Sequence, residues 1–333
     1  MLLRYITKRI LQLIPLLIII SIVTFIIIQL PPGDFLSVYI QRLRGMGAEV
    51  TDELIETLKK QHGLDKPVII QYFIWVKNII TKGDLGGSFL WHKPVTEVIG
   101  GYLGMTMLIS LLSLIFVWLT AIPIGIYSAT HQYTPLDYIF TFFGIVGLAV
   151  PGFLVALVLI YVLFSKAGIT IIGLFSSEFQ TESWSLAKIL NMLPRIGLSV
   201  FLIGIPSVSW LFRITRGMML DELGKLYVIT ARTKGLEEKR LIFKYPLRMA
   251  INPLISTIGW MLPALISGEV IISIVLNMPT TGPMLLKALQ TQDMYLAGGF
   301  LLLVSTLTIV GTLLSDILLA VVDPRIRLGG KSE

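Results

Sequence analysis

Six stretches of this chain, at 10–30, 103–127, 138–165, 196–212, 254–277 and 296–322, are long and apolar enough to match the hydrocarbon layer of a bilayer, which takes about 20 residues of helix. In lipid every backbone polar group must be satisfied within the chain, and continuous apolar runs of this length do so as helices. Composition agrees: 55% of the 333 residues are hydrophobic, 14% are charged and mean hydropathy is +0.83, which excludes a soluble globular domain. The expected fold class is an all-α polytopic membrane protein with six transmembrane helices. The first stretch is too long and uninterrupted for a signal-peptide core. It is followed by Pro31, Pro32 and Gly33 rather than by a small-residue cleavage site, so it should remain as an anchor.

Lys and Arg in the flanks and short loops set the orientation. Arg4, Lys8 and Arg9 place the N-terminus in the cytoplasm, and six crossings then return the C-terminal Arg325, Arg327 and Lys331 to the same side. The loop at 213–250 is also cytoplasmic, with nine basic residues against four acids, whereas the external segment at 31–99 balances eight against eight. The chain thus divides into a cytoplasmic N-terminus with the first span (1–30), an extracytoplasmic segment (31–99) and a five-span core (100–333). This asymmetry accounts for the net charge of +7, so a nucleic-acid partner is not expected.

Several chemistries are excluded. There is no cysteine, hence no disulfide, thiolate metal site or cysteine nucleophile. His62, His92 and His131 are isolated and form no His-x-x-x-His pair. The Gly-Lys-Ser at 330–332 lacks the preceding glycine and any following helix, so it cannot cradle a phosphate. No cofactor is expected in this chain.

The insert at 220–253 is charged yet helix-forming. A helix from about Asp221, with Arg232 and Lys234 in its last turn, should stop at Gly235, and a second should follow with Glu237 and Glu238 in its first turn and Lys239, Arg240, Lys244 and Arg248 beyond. Two short helices joined by a glycine elbow can serve as a handle for another protein or lie on lipid headgroups. In the external segment, helical periodicity appears at 52–61 and 67–80.

The run Ala231, Arg232, Thr233, Lys234, Gly235 and Leu236, with Tyr227 before it and Leu247, Arg248 and Pro253 after it, resembles the coupling segment of ABC importer permeases of the dipeptide, oligopeptide and nickel kind. The resemblance runs from end to end: Arg9 to Pro15, then Gly83 to Gly86 with Ser88, Pro94 and Val95. It continues through Asp137, Pro151 with Phe153, Arg213 with Arg216, Gly259, Pro279 with Gly282, and Asp323 to Arg327. The chain is similar to the first of the two paired permeases, which has a long external segment after its first span.

What this resemblance implies is a type I ABC importer membrane domain at the cytoplasmic membrane of a bacterium or archaeon. It would pair with a second homologous permease, two cytoplasmic ATPases that hold ATP and Mg, and an extracytoplasmic substrate-binding protein. ATPase contact would fall on Tyr227, Thr230, Ala231, Arg232, Lys234, Gly235 and Leu236. The expected cargo is a peptide, with an oligosaccharide or nickel as the alternative within the class. An ion-coupled secondary transporter is the alternative outside it, but paired intramembrane carboxylates in matching halves are not evident.

The chain also departs from the family pattern. Ile229, Thr230 and Ala231 stand where many importers have Glu-Ala-Ala, and Pro279, Thr280, Thr281 and Gly282 replace Pro-Gly-x-Gly. Where the family has a glutamate this chain has Ser273, with Glu269 one turn earlier on the same face. Ionisable groups at membrane depth are costly and face protein or water, so Glu269 and Ser273, with a bend at Pro151, are the candidate translocation pathway or gate. For Asp316 the expected role is structural, through Arg213 or Arg216.

Overall fold

The computed structural model describes residues 2–29, 40, 45, 51, 55–57, 65–88 and 90–322. Of the two expected external helices, 52–61 lies largely outside these residues, as do the C-terminal matches at 323–327. The other is α2. In chain order the elements are α1 (Leu2–Gln29), α2 (Val68–Lys82), a two-residue antiparallel ladder β1 (Gly87–Ser88) with β2 (Lys93–Pro94), and α3 (Val95–Thr130). Next come α4 (Pro135–Ala149), α5 (Gly152–Ala167), α6 (Leu186–Leu223), α7 (Leu226–Thr233) and α8 (Glu238–Lys244). The last are α9 (Pro246–Leu276), α10 (Thr281–Gln290) and α11 (Met294–Val322).

Among the described residues four helices, α1, α3, α6 and α11, are each long and apolar enough to cross a membrane, and the number reaches six if each of two bent pairs counts as one span. The expected third span at 138–165 is one of these pairs. The chain turns by 101° between α4 and α5, where Val150 is extended and Pro151 caps α5. A proline disfavours helix at the residue before it and cannot donate back into the preceding turn. The fifth span bends by 55° between 259 and 263, where Pro263 has no N–H for the Gly259 carbonyl. By contrast α1, α3 and α6 run on through Pro15, Pro123 and Pro206.

Packing divides the chain into two units. The larger contains Met105–Pro279 and the helix from Thr308 on. Its core is built on α6 and α9: Ile196, Val200 and Ile203 recur at helical spacing, as do Leu254, Met261, Leu265, Ile272 and Leu276. Lipid tails are as apolar as leucine, so close backbone approach is what drives helices together in a bilayer. A Cβ at Gly259 of α9 would lie 2.8 Å from the Ser315 Cβ of α11, and one at Gly311 would lie 2.8 Å from the Gly259 carbonyl. Ser315 Oγ seals this crossing by donating to the Ile255 and Ser256 carbonyls at 3.2 and 3.1 Å.

The smaller unit contains Lys8–Gly104 and Thr280–Leu307. Trp75 of α2 packs on Phe25 and Ile28 of α1, and its indole N–H donates to the Leu85 carbonyl at 3.1 Å. Val95, Val98 and Ile99 of α3 pack against Met284 and Ala288 of α10 and Leu296, Ala297 and Phe300 of α11. The buried Asp293 carboxylate ties these parts together, accepting from Ser88 Oγ at 2.6 Å, Leu90 N at 3.2 Å and Leu296 N at 3.3 Å.

Candidate functional site: the charged insert

The insert differs at its start from the sequence expectation. Asp221 does not open a short helix; it lies in the last turn of α6, which runs 11 residues past the expected span end to Leu223. Met219 explains the extension, because it is fully buried with Ala129 and Ala250 and rewards continued helix there. Gly224 and Lys225 then break the chain before α7 begins. Arg248 belongs to α9, which starts at Pro246, so α8 ends at Lys244.

Tyr227, Thr230, Ala231 and Arg232 all lie on α7, and Lys234 caps it. Val228 and Ala231 are buried against Leu241 of α8, with Leu223, Leu236 and Tyr245 around them. That leaves an outer face of Leu226, Ile229, Thr230, Thr233 and Lys234, of which Leu226 is 81% exposed. Gly235 makes the elbow at φ +77°, the left-handed region that glycine enters without penalty. Two backbone bonds close it, Gly235 N to Arg232 O at 3.0 Å and Leu236 N to Ala231 O at 3.3 Å.

Two side-chain clamps brace α7, one to α8 and one to α6. Arg232 Nε and Nη2 donate to the two carboxylate oxygens of Glu238 at 3.0 and 2.5 Å, a bidentate bridge from α7 to α8. This bond raises the Arg232 pKa and lowers that of Glu238. The Tyr227 hydroxyl donates to the Glu222 carboxylate at the end of α6. Burial and then the Glu222 carboxylate push the Tyr227 phenol up to about 12. At neutral pH the phenol is therefore protonated and the Arg232–Glu238 pair is charged, as both contacts require. What the arrangement can do is present a short, braced helix whose apolar and cationic outer face is free for a partner.

The candidate pathway residues lie elsewhere in the larger unit. Glu269 is fully buried on α9 and accepts a 2.5 Å hydrogen bond from Ser273 Oγ, so the one-turn spacing read from the sequence brings the two side chains into contact. Pro151 is exposed at the 101° turn between α4 and α5.

The family described as "Binding-protein-dependent transport system inner membrane component" matches residues 121–328, and its N-terminal companion matches residues 2–110. The chain belongs to that family. Among relatives, the oligopeptide transport system permease protein AppB of Bacillus subtilis is 33% identical, over 97% of this chain and 98% of that protein. The dipeptide transport system permease proteins DppB of Lactococcus lactis and of Alkalihalophilus pseudofirmus are each 30% identical, over 98% of this chain and 99% of theirs.

As a member of this inner-membrane transport family, the chain is a permease subunit of an ABC importer and a multi-pass plasma-membrane protein. Three polar clusters in this permease were not singled out as sites from sequence. Arg216, expected near Asp316, instead gives Nε and Nη2 to the Asp137 carboxylate, both at 3.0 Å. Asp137 precedes the first apolar stretch of α4 by a single residue, so sequence shows it only as a helix-opening acid. Lys188, Asn191 and Arg195 share one face of α6 and hold the 170–182 segment through its carbonyls and Ser176. Their spacing of three and four is the one signal sequence offered. Asp293, the third, reads locally only as the acid that opens α11 and accepts from Leu296 N, and nothing in the sequence pairs it with Ser88, 205 residues away.

Proposed function

We propose that this permease is the translocation subunit of an ATP-driven importer of peptides. It would assemble with a second homologous permease, two cytoplasmic ATPases and an extracytoplasmic substrate-binding protein. The observation that carries the substrate class is end-to-end similarity to relatives named for oligopeptide and dipeptide transport, at 30–33% identity over nearly the full chain. The description of the family as binding-protein-dependent supports the extracytoplasmic partner; the second permease and the two ATPases are what the resemblance of the coupling segment implies.

In this reading the chain makes and breaks no covalent bond, and ATP with Mg is held by the ATPases. The outer face of α7 seats on one ATPase, with Tyr227, Thr230, Arg232, Lys234 and the Gly235 elbow setting its presentation, while Ala231 and Leu236 pack behind it. ATP-driven closure of the ATPase pair displaces α7, and the displacement enters the membrane through α6 on one side and α9 on the other. Glu269 and Ser273 of α9 lie on or beside the route that opens.

The test is reconstitution of the five-component complex in proteoliposomes. ATP-dependent uptake of labelled di- to pentapeptides, dependent on the binding protein, is the expected result. Uptake of nickel or an oligosaccharide without peptide uptake overturns the substrate class, and uptake driven by an ion gradient without ATP overturns the importer reading.

A further inference from the structure

Near the cytoplasmic insert, three helices of the larger unit meet at one carboxylate. Asp137, on the first turn of α4, is 2% exposed and takes four hydrogen bonds. Its Oδ1 accepts from Ser128 Oγ, in the last turn of α3, and from Arg216 Nε of α6 at 3.0 Å. Its Oδ2 accepts from Arg216 Nη2 at 3.0 Å and from the Tyr133 N–H at 3.0 Å. Arg216 Nε also reaches Ser128 Oγ at 3.1 Å, so the hydroxyl is fixed from both sides. The loop from α3 to α4 is held by the same group, with Tyr133 at φ +61°.

We infer that Asp137 and Arg216 are positioning residues for coupling: they fasten the ends of α3 and α4 to α6 so that displacement of α7 reaches all three helices together. The inference rests on the proposed seating of α7 on an ATPase. Arg216 stands ten residues before the start of α7, on the helix that leads into it. Without the joint, motion of α7 would pass along α6 and be absorbed by sliding against α3 and α4. A bidentate guanidinium–carboxylate pair resists such sliding in two directions, which a lysine in place of the arginine could not do.

Asp137→Asn tests this with almost no change of volume. Turned one way its NH₂ faces two donors, Arg216 Nη2 and Tyr133 N; turned the other it faces the Arg216 Nε donor and leaves the Ser128 hydroxyl without its acceptor. In the reconstituted complex, normalised to assembled protein, the expected result is a fall of about 5-fold or more in solute moved per ATP hydrolysed, the range in which site-to-site coupling is lost. Arg216→Lys should give a smaller fall in the same ratio. A merely structural role would lower the amount of complex and leave that ratio native, and this result would overturn the inference.

A second measurement does not depend on those variants folding. Spin labels at Gln132→Cys and Gly217→Cys, both exposed, mark the two sides of the joint in a chain with no other cysteine. Their separation should be the same in nucleotide-free and ATP-trapped wild-type complexes. Separation that changes between the two states overturns the joint. Absence of ATP-driven uptake in the wild type refutes the importer reading instead, and the label distance still reports on whether the helix ends move as one.

Discussion

Replacing Gly235 isolates a single physical variable, because a Cβ built there meets nothing within 4 Å. A Cβ brings no clash, so for alanine the cost is backbone conformation alone. At φ +77° an alanine is penalised by about 1 kcal/mol and a β-branched valine by about 2–3 kcal/mol. Relief requires φ to move out of the left-handed region, which breaks the Gly235 N to Arg232 O and Leu236 N to Ala231 O bonds and swings α8 relative to α7. A penalty of about 2 kcal/mol shifts the balance against the native elbow by about 30-fold. Uptake and substrate-stimulated ATP hydrolysis, normalised to inserted protein, should fall in the order Gly, Asn, Ala, Val. Asparagine stays near the top because it tolerates left-handed backbone. Native uptake by Gly235→Val would refute the elbow's role, and an Asn variant as poor as Val would show that φ is not the cause.

Gly259→Leu should lower the Tm of the detergent-solubilised complex by overpacking worth about 1–3 kcal/mol, because its Cβ alone would stand 2.8 Å from the Ser315 Cβ; an unchanged Tm refutes the α9–α11 contact. Asp293→Asn should destabilise the smaller unit by about 1.5–3 kcal/mol, since its carboxylate accepts from Ser88 Oγ, Leu90 N and Leu296 N, and unchanged protection of the Leu90 and Leu296 amides in hydrogen exchange would contradict that. Single cysteines at Lys66 and Glu237, both exposed, should differ in intact cells: an impermeant thiol reagent should label only the first. Equal labelling refutes the orientation.

The six apolar stretches, the elbow at Gly235 and the contact between Glu269 and Ser273 were legible because each is a local pattern. Hydropathy reports span number, a glycine after a basic last turn reports a left-handed cap, and a spacing of four reports one helix face. The extension of α6 to Leu223 was not legible, since Met219 is buried by Ala129 and Ala250, residues 90 and 31 positions away. The turn at Val150 was concealed by hydropathy, which scores α4 and α5 as one run and is blind to direction. Arg216, one of the two partners expected for Asp316, pairs with a different carboxylate for a related reason. Sequence shows which acids exist near a cytoplasmic boundary, and only the packing of α4 on α6 selects Asp137 over Asp316.

The larger unit ties α6 to α9 at the ends away from the insert as well, and this bears on Glu269. Arg195 of α6 donates to the Ile172 and Thr170 carbonyls at 2.9 and 3.0 Å, while Gly173 N donates to Leu276 O, the last residue of α9, at 2.7 Å. The 170–173 segment is thus a strap across both helix ends, and the insert joins the opposite ends. If α7 is pushed as proposed, α6 cannot slide along α9 without loosening one tie. Glu269 stands seven residues before Leu276, about 10 Å along the axis, so strain passed to the strap crosses the Glu269–Ser273 pair first. A carboxylate at membrane depth costs about 2.5–3.5 kcal/mol on insertion scales, and Ser273 Oγ offsets part of that by donating to it. Glu269→Gln keeps the size and an acceptor for Ser273 while removing the charge. Assembly and basal ATP hydrolysis should stay near native, and uptake should change most for positively charged peptides. A Gln variant that loses assembly while each remaining complex transports every peptide at the native rate would make Glu269 a structural residue and remove it from the pathway.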